Sequence, residues 1–146
     1  MAELNRPIVL SCAATLLAVF ASSACAAAQA PEPPPLTVAE ASGWQSTSKL
    51  EDLQAFLEDL RTLPRADRIA VSVFGRSEEG REMLLVTAAD PLPADDAALM
   101  ASGKLRILVN ANIHGGEVEG KEAVQILLRE IAQGEHEDLL REVVLL

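Results

Sequence analysis

The sequence predicts the α/β fold class: the N-terminal part of a mixed, mostly parallel sheet with flanking helices, ending within a strand. One observation is the run KLRILVNANI, which is almost wholly apolar, as expected for a strand covered on both faces. Another is that a polar loop, a helix pattern and EVVLL follow it, which is the order of a parallel βαβ unit. These strands alone would leave a doubly apolar strand poorly covered, so we expect the front portion of a larger domain.

Residues 1–28 have the pattern of a secretory signal peptide. Arg6 precedes an apolar stretch from Ile8 to Phe20, and small residues follow as far as Ala28. The apolar stretch is shorter than the roughly 20 residues that a membrane-spanning helix needs, although an uncleaved anchor is an alternative. We therefore expect cleavage after Ala28 and an exported protein, either periplasmic or extracellular.

Cys25 offers another alternative, because a cysteine just after such a segment can be lipidated and tether the protein to a membrane. The preceding Ser22-Ser23-Ala24 lacks the leucine expected three positions upstream, so the lipoprotein interpretation is the less favoured one. Cleavage after Ala28 would remove both Cys12 and Cys25. A metal site in the remaining chain would then use histidine and carboxylate ligands.

The charge balance argues against two classes of partner. The formal net charge is −10 at pH 7, and an acidic surface does not attract nucleic acid or an anionic membrane. We expect neither as a partner, and no membrane unless Cys25 is lipidated. No feature of the sequence indicates the oligomeric state.

Residues 29–43 predict a linker, because APEPPPLTVAEASG is rich in proline and has no hydrophobic periodicity. The domain is expected to span residues 44–146. Its first element is a helix over about 49–62, with Ser48 and Glu51 at the spacing of a capping box and Pro64 as the stop. Apolar residues recur at helical spacing in it: Leu50, Leu53, Leu57 and Leu60.

Two strands are expected next, paired antiparallel across the polar segment RSEEG. Ile69, Val71 and Val73 alternate in the first strand, and REMLLVTAA forms the second. Residues 91–103 predict a loop with one helical turn. After the long apolar strand, a helix is predicted that ends at Gly134, followed by a short helical piece in EHEDLLR. The core-facing residues of the longer helix, which ends at Gly134, are Val124, Leu127, Leu128 and Ile131.

His114 and Glu117 are the candidate metal ligands. They lie between the apolar strand and the following helix, where α/β sheets place their ligand sites. The intervening Gly115 and Gly116 would let the backbone turn so that both side chains converge. Histidine nitrogen and glutamate oxygen are ligands of catalytic zinc. The alternative is a solvated polar pair, with the glutamate at the positive end of the helix dipole.

Here the sequence resembles the zinc carboxypeptidases of the carboxypeptidase A and B type, over roughly residues 44–146. Their first two zinc ligands form a His-x-x-Glu motif after a buried strand, as His114 and Glu117 do in NANIHGGE. Members often carry Gly-x-Ser-x-x-Gly-Arg before an apolar strand. The segment FGRSEEGREMLLVT has that motif at Gly75, Ser77, Gly80 and Arg81.

The resemblance implies a full-length metallocarboxypeptidase with one Zn²⁺ per domain, which removes C-terminal residues from peptides by zinc-activated water. It also implies that the third ligand, a histidine, and the general-base glutamate fall after Leu146. His136 is expected at the far end of the helix, too distant to serve. We therefore expect no catalytic residue in these 146 residues, and no peptide hydrolysis by them alone.

Gly116 departs from the pattern, because many members have arginine directly before the ligand glutamate. The form His-Gly-x-Glu also resembles the related deacylase branch, whose substrates are acyl amino acids. A peptide substrate is preferred because of the upstream motif. A zinc-dependent deacylase or amidase is the alternative activity, and a non-catalytic fragment or binding domain is the alternative of a different class.

Overall fold

A computed structural model describes residues 33–146, so the signal-peptide pattern and Cys25 lie outside the described residues. The helices within this range are α1 (Val38–Ala41), α2 (Leu50–Asp59), α3 (Asp96–Ala101), α4 (Val118–Gln133) and α5 (Glu137–Glu142). The strands are β1 (Ile69–Arg76), β2 (Glu82–Ala88), β3 (Leu105–Ile107) and β4 (Val143–Leu145). Two 3₁₀ turns, Leu60–Thr62 and Ala66–Arg68, connect α2 to β1. Among residues 33–146 no helix is both long and apolar enough to cross a bilayer.

The four strands form one mixed sheet in the order β1-β2-β4-β3. β1 and β2 are antiparallel, with Ile69 opposite Ala88, and β2 is also antiparallel to β4. β3 and β4 are parallel, with Leu105 opposite Val143, and α4 and α5 lie between them in the chain. The predicted α/β class, antiparallel pair and βαβ unit are confirmed. Within the described residues, β3–β4 is the parallel pairing.

The loop between β1 and β2 is built by the Gly-x-Ser-x-x-Gly-Arg segment. The Gly80 N–H donates to the Ser77 carbonyl at 2.9 Å, and the Arg81 N–H donates to the Ser77 hydroxyl at 3.2 Å. Gly80 has a φ of +79°, a conformation that glycine adopts without steric cost. In this structure, the motif therefore closes the hairpin that holds β1 against β2.

The hydrophobic core lies between the sheet and one face each of α2 and α4. Leu128 and Ile131 of the predicted α4 face are buried, and Val124 and Leu127 pack against them half-buried. α4 ends at Gly134, whose φ of +105° gives the left-handed C-terminal cap that the sequence predicts. The buried core residues are Phe56, Leu57, Leu60, Ala88, Leu128, Ile131, Ala132 and Leu140.

The predicted capping pair of α2 is wrong. α2 begins one residue later, where the Lys49 N–H donates to the Asp52 carboxylate at 2.8 Å. Ser48 is 2% exposed and its hydroxyl donates to Glu122 of α4 instead of capping its own helix. A carboxylate from a distant part of the chain therefore replaces the local partner, Glu51, that the sequence indicated.

The expectation that the apolar run is buried on both faces is also wrong. β3 has only three residues, all exposed, and Leu105 and Leu108 are 64% and 70% exposed. The physical reason is position, because β3 is the outermost strand beside β4 and no described element covers it. An apolar cavity of about 630 Å³ adjoins this run, lined by side chains of α2, β2, α4 and residues 108–111.

The described part of the segment predicted as a linker, residues 33–43, contains α1. Thr37 and Glu40 form a capping box, with the Glu40 N–H donating to the Thr37 hydroxyl at 3.2 Å. Arg129 of α4 donates to both Glu40 carboxylate oxygens, at 2.6 and 2.8 Å. This hydrogen bonding from Arg129 lowers the pKa of Glu40. α1 is thereby attached to α4 by a bidentate ion pair.

Candidate metal centre

His114 and Glu117 lie at the two ends of one turn. The Glu117 N–H donates to the His114 carbonyl at 3.0 Å, which closes the turn around Gly115 and Gly116. Such a turn brings its first and fourth residues within about 7 Å. Here the side chains also meet, because His114 Nδ1 lies 2.8 Å from Glu117 Oε1. The structure therefore brings together the two side chains that the sequence singled out.

Both side chains are open to solvent, His114 at 78% and Glu117 at 61% exposure. Glu117 occupies the N-cap position of α4, yet its carboxylate makes no capping hydrogen bond to the helix. The carboxylate therefore faces solvent beside the imidazole, with Oε1 paired to His114 Nδ1. The unpaired N–H groups of the helix terminus favour negative charge at this position.

The proposed role of the paired glycines is wrong. Neither Gly115 nor Gly116 has left-handed backbone, and a Cβ added to either would meet no atom within 4 Å. The left-handed residue is Asn112, with a φ of +61°. Asparagine adopts this conformation more readily than most residues. The positive φ of this segment is thus found two residues before the imidazole and not at the glycines.

Gly120, in the first turn of α4, is a positioning feature that sequence reasoning missed. A Cβ built on Gly120 would lie 3.2 Å from the Ala111 Cβ and 3.8 Å from the Ala111 Cα. The helix that follows Glu117 therefore packs closely against the segment that leads to His114. The signal was present, because a glycine within an otherwise helical pattern often marks a close approach.

Glu122 connects the same turns of α4 to the start of α2. Its side chain is 4% exposed, and Oε1 accepts the Ser48 N–H and the Thr47 hydroxyl, each at 2.7 Å. Burial is the largest influence on its pKa and raises it. The hydrogen bonds from Ser48 and Thr47 together outweigh burial, so the pKa of Glu122 is lowered. Glu122 is therefore held as a buried carboxylate.

Two neighbours complete this connection. The Lys121 ammonium donates to the Ser48 carbonyl, and the Gln125 amide donates to the Ser48 hydroxyl at 3.2 Å. Gln125 is 1% exposed. Lys121, Glu122 and Gln125 thus hold the N-terminal half of α4 on Ser48, the residue before the N-cap of α2.

The donor atoms of the turn fit zinc. Zinc accepts neutral imidazole nitrogen and carboxylate oxygen, and two such ligands in a tetrahedral site lie about 3.4 Å apart. The observed 2.8 Å between His114 Nδ1 and Glu117 Oε1 needs only a small opening of the pair. Among residues 33–146 no further histidine lies near this turn, so the described residues offer two candidate ligands, His114 and Glu117.

His136 lies at the opposite end of α4, as the sequence predicts. The 16 residues of α4 separate it from Glu117 by about 24 Å. His136 Nε2 is 2.8 Å from Glu130, and with Glu135 these residues place three ligand atoms within 4.8 Å of one another. Exposed acidic groups commonly gather in this way without an ion, and we assign no metal to this cluster.

Comparisons with known proteins bear on the family and the fold of the chain. A family model described as zinc carboxypeptidase matches residues 53–145. The crystal structure of a metallo-carboxypeptidase from Burkholderia cenocepacia is similar in fold, with a TM-score of 0.51 and 24% sequence identity over 68% of this chain. The match covers 26% of that protein, so the chain spans about a quarter of its length. A search of curated proteins found no match.

Proposed function

The chain belongs to the zinc carboxypeptidase family, and we propose that it contributes His114 and Glu117 as two zinc ligands of a metallocarboxypeptidase. The observation that carries the proposal is the 2.8 Å approach of His114 Nδ1 to Glu117 Oε1 in an exposed turn. The turn follows β3 and directly precedes α4, at the carboxyl end of a parallel strand. Ligand sites of α/β sheets lie in this position.

The chemistry supplied by bound zinc is Lewis acidity, which polarises a carbonyl oxygen and lowers the pKa of water. His114 would contribute a neutral nitrogen, and Glu117 would contribute a carboxylate that offsets part of the cationic charge. The high exposure of both side chains leaves room for a substrate carbonyl to approach the same point. The buried contacts of Glu122 with Ser48 would keep the helix that carries Glu117 in place.

The proposed reaction is removal of the C-terminal residue from a peptide, by an exported protein. Family membership supports the reaction class, and the pattern of residues 1–28 supports export. Gly116 favours a second candidate, hydrolysis of acyl amino acids, because the form His-Gly-x-Glu also resembles the deacylase branch. The third zinc ligand and the general base are proposed to come from outside these 146 residues.

The test uses the complete native protein from its exported fraction, with an N-acylated peptide and the same peptide amidated at its C-terminus. We expect release of the C-terminal residue from the free acid only, loss of activity with 1,10-phenanthroline, and recovery with zinc. His114→Ala should remove the activity. Equal cleavage of the amidated peptide, or activity that resists the chelator, would overturn the proposal.

Two further outcomes separate the alternatives. Hydrolysis of N-acyl amino acids without release of residues from peptides would favour the deacylase. Zinc binding by the native protein without hydrolysis of either substrate would favour a non-catalytic binding domain. The 146 residues alone are expected to hydrolyse neither substrate. Zinc-dependent turnover by them would contradict the proposal that the third zinc ligand and the general base come from outside these residues.

A further inference from the structure

Gly120 lies where two parts of the candidate zinc site meet. It is the third residue of α4, three positions after Glu117, and its Cα faces Ala111, three positions before His114. A Cβ at this position would lie 3.2 Å from the Ala111 Cβ, which is closer than side-chain carbons ordinarily pack. The close approach of the two ligand-bearing segments therefore depends on the absence of a side chain at Gly120.

The helix cannot easily move away to make room for a side chain. Glu122 accepts the Ser48 N–H at 2.7 Å, and the Lys121 ammonium donates to the Ser48 carbonyl. Gln125 donates to the hydroxyl of the same serine at 3.2 Å. These contacts hold the first turns of α4 on α2, so an added methyl group at Gly120 would displace the other partner, the segment that contains Ala111.

Displacement of the segment that contains Ala111 would also move the imidazole of His114. Asn112, next to Ala111, already has a left-handed φ of +61°, and His114 follows two residues later. We propose, on the basis of the proposed function, that Gly120 is a positioning residue for zinc: its lack of a side chain allows His114 and Glu117 to share one ion. Gly120 touches neither ligand atom and acts only through the backbone that carries them.

The test compares three variants of the full 146-residue chain. Gly120→Ala adds the methyl group at the close contact. Gly116→Ala is the matched control, because it adds the same group between the ligands where no atom lies within 4 Å. The double variant Ala111→Gly with Gly120→Ala moves the methyl group from one side of the contact to the other, and it should restore the parent geometry.

Two readouts are made on each variant. The first needs no metal: the nuclear Overhauser contact between the His114 ring and the Glu117 side chain. The second is the dissociation constant for ZnCl₂ by titration calorimetry. We expect Gly120→Ala to weaken the contact and zinc binding, the latter by about tenfold, as for supporting residues of other metal sites. Gly116→Ala and the double variant should match the parent in both measurements.

Thermal unfolding separates positioning from general damage. The higher helix propensity of alanine offsets the strain of the added methyl group against Ala111, so the unfolding midpoint of Gly120→Ala should stay close to that of the parent. Equal contacts and equal zinc affinity in Gly120→Ala and Gly116→Ala would overturn the inference, as would failure of Ala111→Gly to restore them. If the parent and His114→Ala bind zinc equally, the proposed function fails, and the metal-free contact still decides the role of Gly120.

Discussion

The backbone N–H of Ser48 donates to Oε1 of Glu122 at 2.7 Å across 74 residues of sequence. The residue that precedes the N-cap of α2 is therefore held by a carboxylate from α4. Both residues are buried, at 2% and 4% exposure. Because a buried N–H without a partner is costly, this contact makes the folding of α2 depend on the docking of α4, the helix that begins at the candidate zinc ligand.

Replacing Glu122 by alanine should destabilise the chain strongly. The variant would leave the buried Ser48 N–H and the half-buried Thr47 hydroxyl without their acceptor, and it would remove one acceptor of the Ser48 hydroxyl. We expect the free energy of unfolding in urea to fall by about 2–4 kcal/mol. Glu122→Gln should cost less, because its amide oxygen still accepts the Ser48 N–H.

The matched control is Glu119→Ala, on the same helix but exposed to solvent. Its unfolding free energy should stay within about 0.5 kcal/mol of the parent value. If Glu119→Ala and Glu122→Ala destabilised the chain equally, the effect would come from the charge of the helix terminus rather than from the Ser48 contact.

The same carboxylate predicts a loss of stability in acid. Hydrogen bonds from Ser48 and Thr47 outweigh burial and lower the pKa of Glu122 in the folded chain. Its contribution is therefore fully present above the unfolded-state pKa, about 4.3 for glutamate, and is lost as the pH falls through the lower folded-state pKa. Urea unfolding from pH 7 to pH 3 measures this loss.

The unfolding free energy of the parent should fall more steeply below about pH 4.3 than that of Glu122→Gln, which has no proton to bind there. Glu40, whose pKa is lowered by its hydrogen bond from Arg129, contributes a similar loss in both proteins. The difference between the two curves isolates Glu122. Parallel curves would show that its carboxylate adds no pH-dependent stability.

Export predicts a defined mature terminus. Cleavage after Ala28 would make Gln29 the first residue of the protein recovered from the exported fraction. Terminal sequencing and intact mass measure this directly. A mature protein that begins with a lipidated Cys25 would instead indicate tethering to a membrane. An intact Met1 in the exported fraction would contradict cleavage.

Most of the element order could be predicted from the sequence, because each element has a strong local signal. The α2 leucines recur at helical spacing, Gly134 marks the end of α4, and Ile69 and Val71 alternate in β1. The approach of His114 to Glu117 could also be predicted. The imidazole and the carboxylate lie three positions apart directly after an apolar strand, so a few adjacent residues are enough for this prediction.

What could not be predicted depends on contacts between distant residues. Ser48 had a local partner at the right spacing, but Glu122 of α4 binds it in the folded chain. The apolar run around Leu105 predicts burial, yet position in the sheet decides exposure, and β3 is outermost among the described strands. The packing of Gly120 on Ala111 similarly appears only when the helix is docked.

The central claim is that His114 and Glu117 bind zinc, and titration of ZnCl₂ into the 146-residue chain tests it most directly when the imidazole resonances are followed by NMR. The chain has two histidines, so His114 and His136 report on opposite ends of α4. We predict that the His114 resonances shift to saturation, and that Glu117→Gln removes this response. A response confined to His136 would place the metal with Glu130 and Glu135 and contradict the account.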